Sequence, residues 1–167
     1  MGRSGGRIAK MTEPSAKHAE ITARLRMWLG TALDPERFAV SSFDPGVPTE
    51  RSIRHPDVLV DAQGSDRAAN LAAAPVLIAE VTEPQTYATD FGSKVVEYTS
   101  LPSLAAYLVL FRNEPRAWIW RRTAEGTFPE EPEMLVGREA TIPLPGLGLT
   151  LALSDIYPGE ETDAFPA

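Results

Sequence analysis

The sequence predicts an α+β protein with a central mixed β-sheet. An amphipathic helix pattern comes first, strand-like segments follow, and a second helix pattern interrupts these segments after the third strand. A short β-rich extension comes after two further strands. This order of helices and strands is typical of an α+β domain, and 167 residues are enough for one such domain.

The first helix is predicted from Ser15 to Leu33, where apolar residues recur at helical spacing along one face. These residues are Ile21, Leu25, Trp28, Leu29 and Ala32. Asp34 and Pro35 end the helix, and the first strand is predicted from Arg37 to Phe43.

Two more strands are predicted before the second helix. Val58 to Val60 is entered from Pro56, and Pro75 to Val81 follows after a loop at 64–74. The run from Pro75 to Val81 is almost continuously apolar, as expected for a strand covered on both faces in the middle of a sheet.

The second helix is predicted from Asp90 to about Ser100 and ends at Leu101-Pro102. Asp90 would favour its first turn by accepting backbone N–H bonds. Two strands and three shorter extended pieces are predicted after it: Ala105–Phe111, Ala117–Arg121, Met134–Val136, Thr141–Leu144 and Leu149–Leu153.

The chain is predicted to consist of a flexible arm (1–14), a single domain (15–157) and a disordered acidic tail (158–167). The basic N-terminus is not followed by the apolar segment of a secretory signal. No apolar run reaches the roughly 18–20 residues that a membrane span needs. We therefore expect a cytoplasmic protein without a membrane segment.

The composition restricts the chemistry that the chain can support. It has no cysteine and two histidines, so a metal would be held mainly by oxygen ligands, which favour Mg²⁺ or Mn²⁺ over zinc. A formal net charge of −7 weighs against binding nucleic acid over the whole surface. Binding would rely on local positive clusters, although such clusters are more often solvated surface. They are Arg51, Arg54 and His55, and Arg112, Arg116, Arg121 and Arg122.

Asp57 and Glu80 are the candidate metal ligands. Each lies next to apolar strand residues, and two neighbouring strands would bring both carboxylates to one cation. Asp57 could instead be a turn residue after Pro56, and Glu80 a charge at a strand edge. An ionised carboxylate within an apolar strand is costly unless a partner compensates it, which favours a role for Glu80.

Lys94 shares one helix face with Phe91, Val95 and Tyr98, the residues expected to pack on the sheet. It could form an ion pair with Asp90 at i, i+4, or extend its ammonium into water. A functional role would place the ammonium near Glu80 and an attacking water, where it would offset developing negative charge.

Asp90 and three further residues are candidates for supporting roles. The phenol of Tyr98 could contact the site, although a core aromatic is the simpler interpretation. His18 lies on the inward edge of the first helix and is expected to be a packed, hydrogen-bonded histidine rather than a direct participant. Glu83 is either an acid that supports the site or an exposed charge.

Several short motifs occur in a fixed order between His18 and Arg122. They are Pro56-Asp57-Val58-Leu59-Val60, Leu77-Ile78-Ala79-Glu80-Val81 followed by Pro84 and Thr86, then Asp90, Lys94 and Tyr98, then Leu101-Pro102-Ser103 and Tyr107-Leu108-Val109. In these motifs the chain resembles the Uma-type putative restriction endonucleases (domain of unknown function 820) of the PD-(D/E)XK nuclease superfamily.

The resemblance implies a restriction-endonuclease-like fold and Mg²⁺-dependent cleavage of DNA. Asp57 and Glu80 would bind the metal, and Lys94 would orient the nucleophilic water. The superfamily usually places a lysine two residues after the acidic ligand, where this chain has Thr82. Lys94 on the helix would substitute for it, and a homodimer with two sites would cleave duplex DNA more easily.

Two other functions remain open from the sequence. A non-catalytic relative would keep the nuclease fold as an interaction or regulatory module, which the acidic surface and Glu83 favour. A β-rich module for a small ligand would place Trp118, Trp120 and Tyr107 around a cavity, with Asp57 and Glu80 far apart.

Overall fold

A computed structural model describes residues 4–62, 70–83 and 86–159, with side chains from residue 16 onward. The helices are α1 (Ser4–Ala32), α2 (Tyr87–Phe91) and α3 (Ser93–Thr99), with a 3-10 helix at Leu153–Asp155. The strands are β1 (Phe38–Ser41), β2 (Val47–Pro48), β3 (Ile53–Arg54), β4 (Val58–Ala62), β5 (Pro75–Thr82), β6 (Ala106–Phe111), β7 (Arg116–Arg121), β8 (Glu133–Val136), β9 (Thr141–Leu144) and β10 (Leu149–Ala152).

A six-stranded sheet in the order β1-β4-β5-β6-β7-β8 forms the centre of the fold. Strands β5 and β6 are parallel, and every other neighbouring pair is antiparallel. A parallel pair needs a crossover connection, which α2 and α3 provide. The predicted α+β class with a central mixed sheet is therefore confirmed.

One face of the sheet is covered by α1, because its apolar stripe is buried there. Ile21, Leu25, Leu29 and Leu33 follow one another at four-residue intervals and are all buried. The β9–β10 hairpin and the 3-10 helix pack into the same core cluster. Ala32, which the sequence placed on the buried face, is exposed, and Leu33 takes that position.

The other face is covered by α2, α3 and the small β2–β3 hairpin. Its core includes Val47 from the hairpin, Tyr98 from α3, and Ile78 and Tyr107 from the sheet. Alternation along β5 directs Leu77, Ala79 and Val81 to the α1 face. Ile78 packs on the opposite face, and Glu80 points that way with it.

The elements predicted from sequence also differ from the structure at other places. The second helix is two helices separated by Gly92, and β8 joins the central sheet instead of belonging to a separate extension. The β2–β3 hairpin was not predicted, because its strands are only two residues long. Helix α1 begins at Ser4, within the residues assigned to a flexible arm.

The domain boundaries stay a prediction. Of the predicted loop at 64–74, residues 64–69 lie outside the described residues, and so do residues 160–167 of the predicted acidic tail. In the described part of the chain, no helix combines the length and the hydropathy that crossing a membrane requires.

Candidate functional site

Asp57 and Glu80 meet because of the antiparallel register of β4 and β5. Val58 is paired with Ala79, so Asp57 lies beside Glu80 just before β4 begins. The backbone N–H of Asp57 donates to Oε1 of Glu80 at 3.2 Å, and the backbone N–H of Val81 donates to Oδ2 of Asp57 at 2.8 Å. Each acidic residue therefore helps to hold the other in place.

Glu80 is 3% exposed and has two further partners on α3. The hydroxyl of Tyr98 donates to Oε2 of Glu80 at 3.0 Å, and Nζ of Lys94 lies 3.2 Å from the same oxygen. The sequence placed Lys94 and Tyr98 on one helix face, and the structure brings that face over Glu80. Tyr98 is both a buried core aromatic and a hydrogen-bond donor to the site.

Asp90 at the end of α2 holds the other side of the lysine. Nζ of Lys94 donates to Oδ1 of Asp90 at 2.9 Å, which is the predicted i, i+4 pair. The hydroxyl of Tyr107 donates to the backbone carbonyl of Asp90 at 2.9 Å and ties α2 to β6. Lys94 therefore bridges two buried carboxylates instead of extending into water.

His18 belongs to the same cluster, approached from α1. Its Nε2 lies 3.0 Å from Oδ2 of Asp57. The side chain is packed and hydrogen-bonded, as the sequence interpretation expected, and its partner is a candidate metal ligand. Among the described contacts Glu83 does not bond to the cluster, although its charge contributes to the raised pKa of His18. Glu83 is half-buried and accepts a hydrogen bond from Nη1 of Arg112 at 2.9 Å.

Burial and the neighbouring carboxylates govern the electrostatics. Burial, and then the charge of Asp57, raise the pKa of Glu80 to about 8, although Lys94 opposes the shift. Burial also opposes the charge on Lys94, but Glu80 and Asp90 outweigh it and leave the pKa of Lys94 raised. The hydrogen bond to Asp57 raises the pKa of His18 above its ordinary value.

The cluster has the chemical character of a site for a hard cation. It contains three buried carboxylates, those of Asp57, Glu80 and Asp90, which contact the ammonium of Lys94 and the imidazole of His18. Carboxylate oxygens are the ligands that Mg²⁺ prefers. Within the described residues no group of three or more His, Cys, Asp or Glu side chains is arranged to hold a metal. A cation would therefore rely on Asp57 and Glu80 together with water or substrate oxygens.

A further buried acid, Glu97, was not among the site residues predicted from sequence. It is 5% exposed and accepts hydrogen bonds from Thr49 at 2.7 Å, Ser52 at 2.9 Å and Nη2 of Arg54 at 2.6 Å. This network fastens the β2–β3 hairpin to α3. Glu97 lies three residues after Lys94 and therefore on the inward side of the helix. This spacing was the feature of the sequence that could have indicated its burial.

The predicted positive clusters are largely neutralised by neighbouring groups. Arg54 pairs with Glu97, Arg112 with Glu83, Arg116 with Glu114 and Arg121 with Glu133. Arg122 donates to the backbone carbonyls of Leu101 and Leu104. Most of these arginines therefore have structural partners.

The small-ligand interpretation does not agree with the packing. Tyr107 and Trp120 stack in the core with ring centroids 5.4 Å apart, and both are buried. Asp57 and Glu80, which this interpretation expected to be far apart, contact each other. The aromatic residues contribute to the core that supports the acidic cluster.

Comparisons with known proteins agree with this fold. A family model described as "Putative restriction endonuclease" (Uma2) matches residues 3–154. The chain is also similar to a crystal structure described as a putative nuclease belonging to DUF820 from Anabaena variabilis. The TM-score is 0.68 at 17% identity, with 84% of this chain and 79% of the other covered. No curated protein matches the chain.

The structural likeness at this level of identity shows the fold alone. The family model goes further, since it spans most of the chain, including α1, the sheet and both helices of the crossover. The chain therefore belongs to the Uma2 family of putative restriction endonucleases.

Proposed function

We propose that the chain is a metal-dependent DNA endonuclease in which Asp57 and Glu80 hold Mg²⁺ or Mn²⁺ and Lys94 orients the attacking water. The observation that supports this most is the convergence of two carboxylates and a lysine, with Nζ of Lys94 3.2 Å from Glu80. The three residues come from three separate segments of the chain, the start of β4, β5 and α3, so local sequence does not explain their meeting. Family membership supports a nuclease.

The two carboxylates are enough for the proposed metal. Mg²⁺ is typically bound through one or two carboxylates, while water and substrate phosphates complete its coordination. When bound, the cation would supply positive charge for the phosphate and lower the pKa of the attacking water. His18 keeps Asp57 oriented, and Tyr98 does the same for Glu80.

Lys94 would act as a cationic donor and not as a base. Its raised pKa keeps the ammonium protonated at neutral pH. Asp90 and Glu80 fix its position, so its remaining N–H can hold a water or a phosphate oxygen. A fixed positive charge there would stabilise the negative charge that develops during attack on phosphorus.

The experiment is cleavage of supercoiled plasmid and single-stranded DNA with Mg²⁺ or Mn²⁺. We expect cleavage that EDTA abolishes, and a loss of about 100-fold or more in Asp57→Asn and in Lys94→Met. Arg24→Ala changes an exposed cation on α1 and serves as the matched control, with activity unchanged. Equal cleavage by the wild type and by both site variants would refute the assignment.

The products also report on the assembly. A homodimer with two sites would give linear plasmid directly, whereas a single site would accumulate nicked circles. We propose the dimer for duplex substrates only, and the ratio of linear to nicked product at early times tests it.

The second candidate is a non-catalytic module with the nuclease fold. One observation favours this candidate. The side chains of Asp57, Glu80 and Lys94 already form hydrogen bonds with one another or with neighbouring groups. A folded wild-type protein without metal-dependent cleavage of either DNA form would select this candidate.

A further inference from the structure

Three exposed side chains and one half-buried tryptophan, all with large apolar parts, lie on or beside the sheet face that also carries Glu80. We call it the aromatic surface and define it as Tyr87, Trp118, Met134 and Val136. Tyr87 is 48% exposed, Met134 52% and Val136 54%. Contiguous apolar patches on a protein surface commonly mark binding sites.

The rings of this surface are held by contacts with one another. The Tyr87 ring centroid lies 4.6 Å from that of Phe91 and 6.4 Å from that of Trp118, the latter edge to face. Phe91 contacts Trp118 at 4.8 Å. Contacts with Phe91 and Trp118 therefore hold the partly exposed ring of Tyr87 in position.

The aromatic surface and the candidate site lie on the same face of the sheet, with the buried side chain of Val109 between them. Glu80 is paired with Val109, Val109 with Trp118, and Trp118 with Met134, so these residues form one row on one face. Neighbouring strands are separated by about 4.8 Å, which places the backbone of Trp118 roughly 10 Å from that of Glu80. Helix α2 gives a second connection, since Tyr87 lies one turn before Asp90.

A cation borders this surface. Arg116 is paired with Val136 in the next cross-strand position, on the same face as Trp118. Its Nη2 lies 2.7 Å from Glu114, and both side chains are partly exposed, so a phosphate can compete with the carboxylate. Nε of Arg116 is buried and has no hydrogen-bond partner among the described residues.

We propose that the aromatic surface stacks unpaired bases of the substrate strand next to the cleaved phosphate, with Arg116 contacting the backbone. This inference rests on the proposed nuclease function and narrows its substrate to single-stranded or locally unpaired DNA. Paired bases hide their faces within the duplex, whereas unpaired bases offer them to aromatic rings. Stacking also suits a chain of net charge −7, which gains little from phosphates overall.

The test is fluorescence anisotropy with a labelled oligonucleotide of about 12 nucleotides, single-stranded or in a duplex, in EDTA so that cleavage cannot occur. We expect preferential binding of the single strand. Tyr87→Ala should weaken it by about 5- to 150-fold, while Tyr87→Phe should retain it. Val96→Ala removes an equally exposed apolar side chain on α3 and should have no effect.

The salt dependence tests the cation separately. Arg116→Gln should weaken single-strand binding and reduce the slope of log K against log salt by about 0.7, whereas Tyr87→Ala should leave the slope unchanged.

Three results would overturn the inference: no detectable binding, equal affinity for both DNA forms, or full affinity in Tyr87→Ala. Self-association that Tyr87→Ala and Met134→Ala abolish, with no effect on DNA binding, would also overturn it and make the surface a contact between copies. The two proposals fail separately. Binding that depends on Tyr87, in a protein that does not cleave DNA, would support the stacking surface and refute the nuclease. Cleavage and binding that do not change in Tyr87→Ala would support the nuclease and refute the stacking surface.

Discussion

At the residue scale, Glu80 combines a cost to stability with a proposed role in binding. A carboxylate this deeply buried is expensive to ionise, and Asp57 and Asp90 add negative charge around it. Lys94 and Tyr98 offset only part of that cost. A cation at the site would offset more of it, so the metal-free fold is less stable than it would be with a neutral side chain there.

Glu80→Gln is therefore expected to stabilise the metal-free protein at neutral and alkaline pH. The folded pKa of Glu80 is raised to about 8 from an ordinary 4.5, so the folded state retains a proton that the unfolded state loses. Wild-type stability should fall as pH rises from 4.5 towards 8. One pKa unit corresponds to about 1.4 kcal/mol, or roughly 3–5 °C in Tm.

The measurement is Tm in EDTA at several pH values between 5 and 8. The gap between Glu80→Gln and the wild type should widen with pH. Glu50→Gln, at an exposed acid in the loop between β2 and β3, should run parallel to the wild type. A gap that stays constant or narrows would mean that Glu80 is ionised throughout, held so by Lys94.

The sequence supported part of this site. The apolar strand around Glu80 and the helix face of Lys94 singled out both residues as candidates, although a strand-edge charge and a lysine extended into water remained alternatives. The contact between His18 and Asp57 was not predictable, because it depends on how α1 lies against a sheet that is distant in sequence. Glu97 was overlooked because its partners lie on a hairpin too short to recognise.

At the element scale, the break at Gly92 gives the crossover its shape. Asp90 lies in the last turn of α2 and Lys94 in the first turn of α3, and their side chains still meet across the break. A Cβ at Gly92 would lie 2.7 Å from the carbonyl oxygen of Ala88. The sequence predicted one continuous helix here, because a single glycine within a helical pattern does not by itself mark a break.

Gly92→Ala and Gly30→Ala should have opposite effects on stability. At Gly92 the added methyl meets backbone, so the crossover must shift, and we expect a loss of about 1–3 kcal/mol. At Gly30, in α1, nothing lies within 4 Å, so alanine should stabilise by about 0.5–1 kcal/mol. Urea denaturation of both variants measures this.

DNA cleavage by Gly92→Ala should fall by more than the loss of folded protein explains, because Lys94 follows the break by two residues. A Gly92→Ala protein as stable and active as the wild type would show that the crossover can relax freely.

At the scale of the whole molecule, three layers of the fold meet at the acidic cluster. Helix α1 supplies His18 from one layer, α2 and α3 supply Asp90 and Lys94 from the other, and the sheet between them supplies Glu80. A ligand that binds here touches all three layers and should therefore stabilise the fold as a unit.

Mg²⁺ should accordingly raise the Tm of the wild type. At a free concentration about 100 times Kd the stabilisation is about 2.7 kcal/mol, which corresponds to roughly 5–10 °C. Asp57→Asn should lose most of this shift. NaCl at equal ionic strength is the control, since salt alone screens the net charge of −7. A shift of the same size in Asp57→Asn would assign the effect to screening.

The strand order across the sheet could not be predicted from the sequence. Each strand of the central sheet was recognisable from its own residues, but the place of β8 beside β7 and the parallel pairing of β5 with β6 are relations between distant segments. Propensity and periodicity act over a few residues, whereas these pairings depend on which apolar faces remain uncovered once the layers meet.

The parallel pair also affects when during folding the site can form. The β4–β5 hairpin can join Asp57 to Glu80 early, because antiparallel neighbours pair through a local connection. Lys94 reaches them only after the crossover has closed and β6 has docked, and such non-local steps are slow. An incompletely folded chain therefore holds the two acids without their lysine, so competence for cleavage would appear in the last stage of folding.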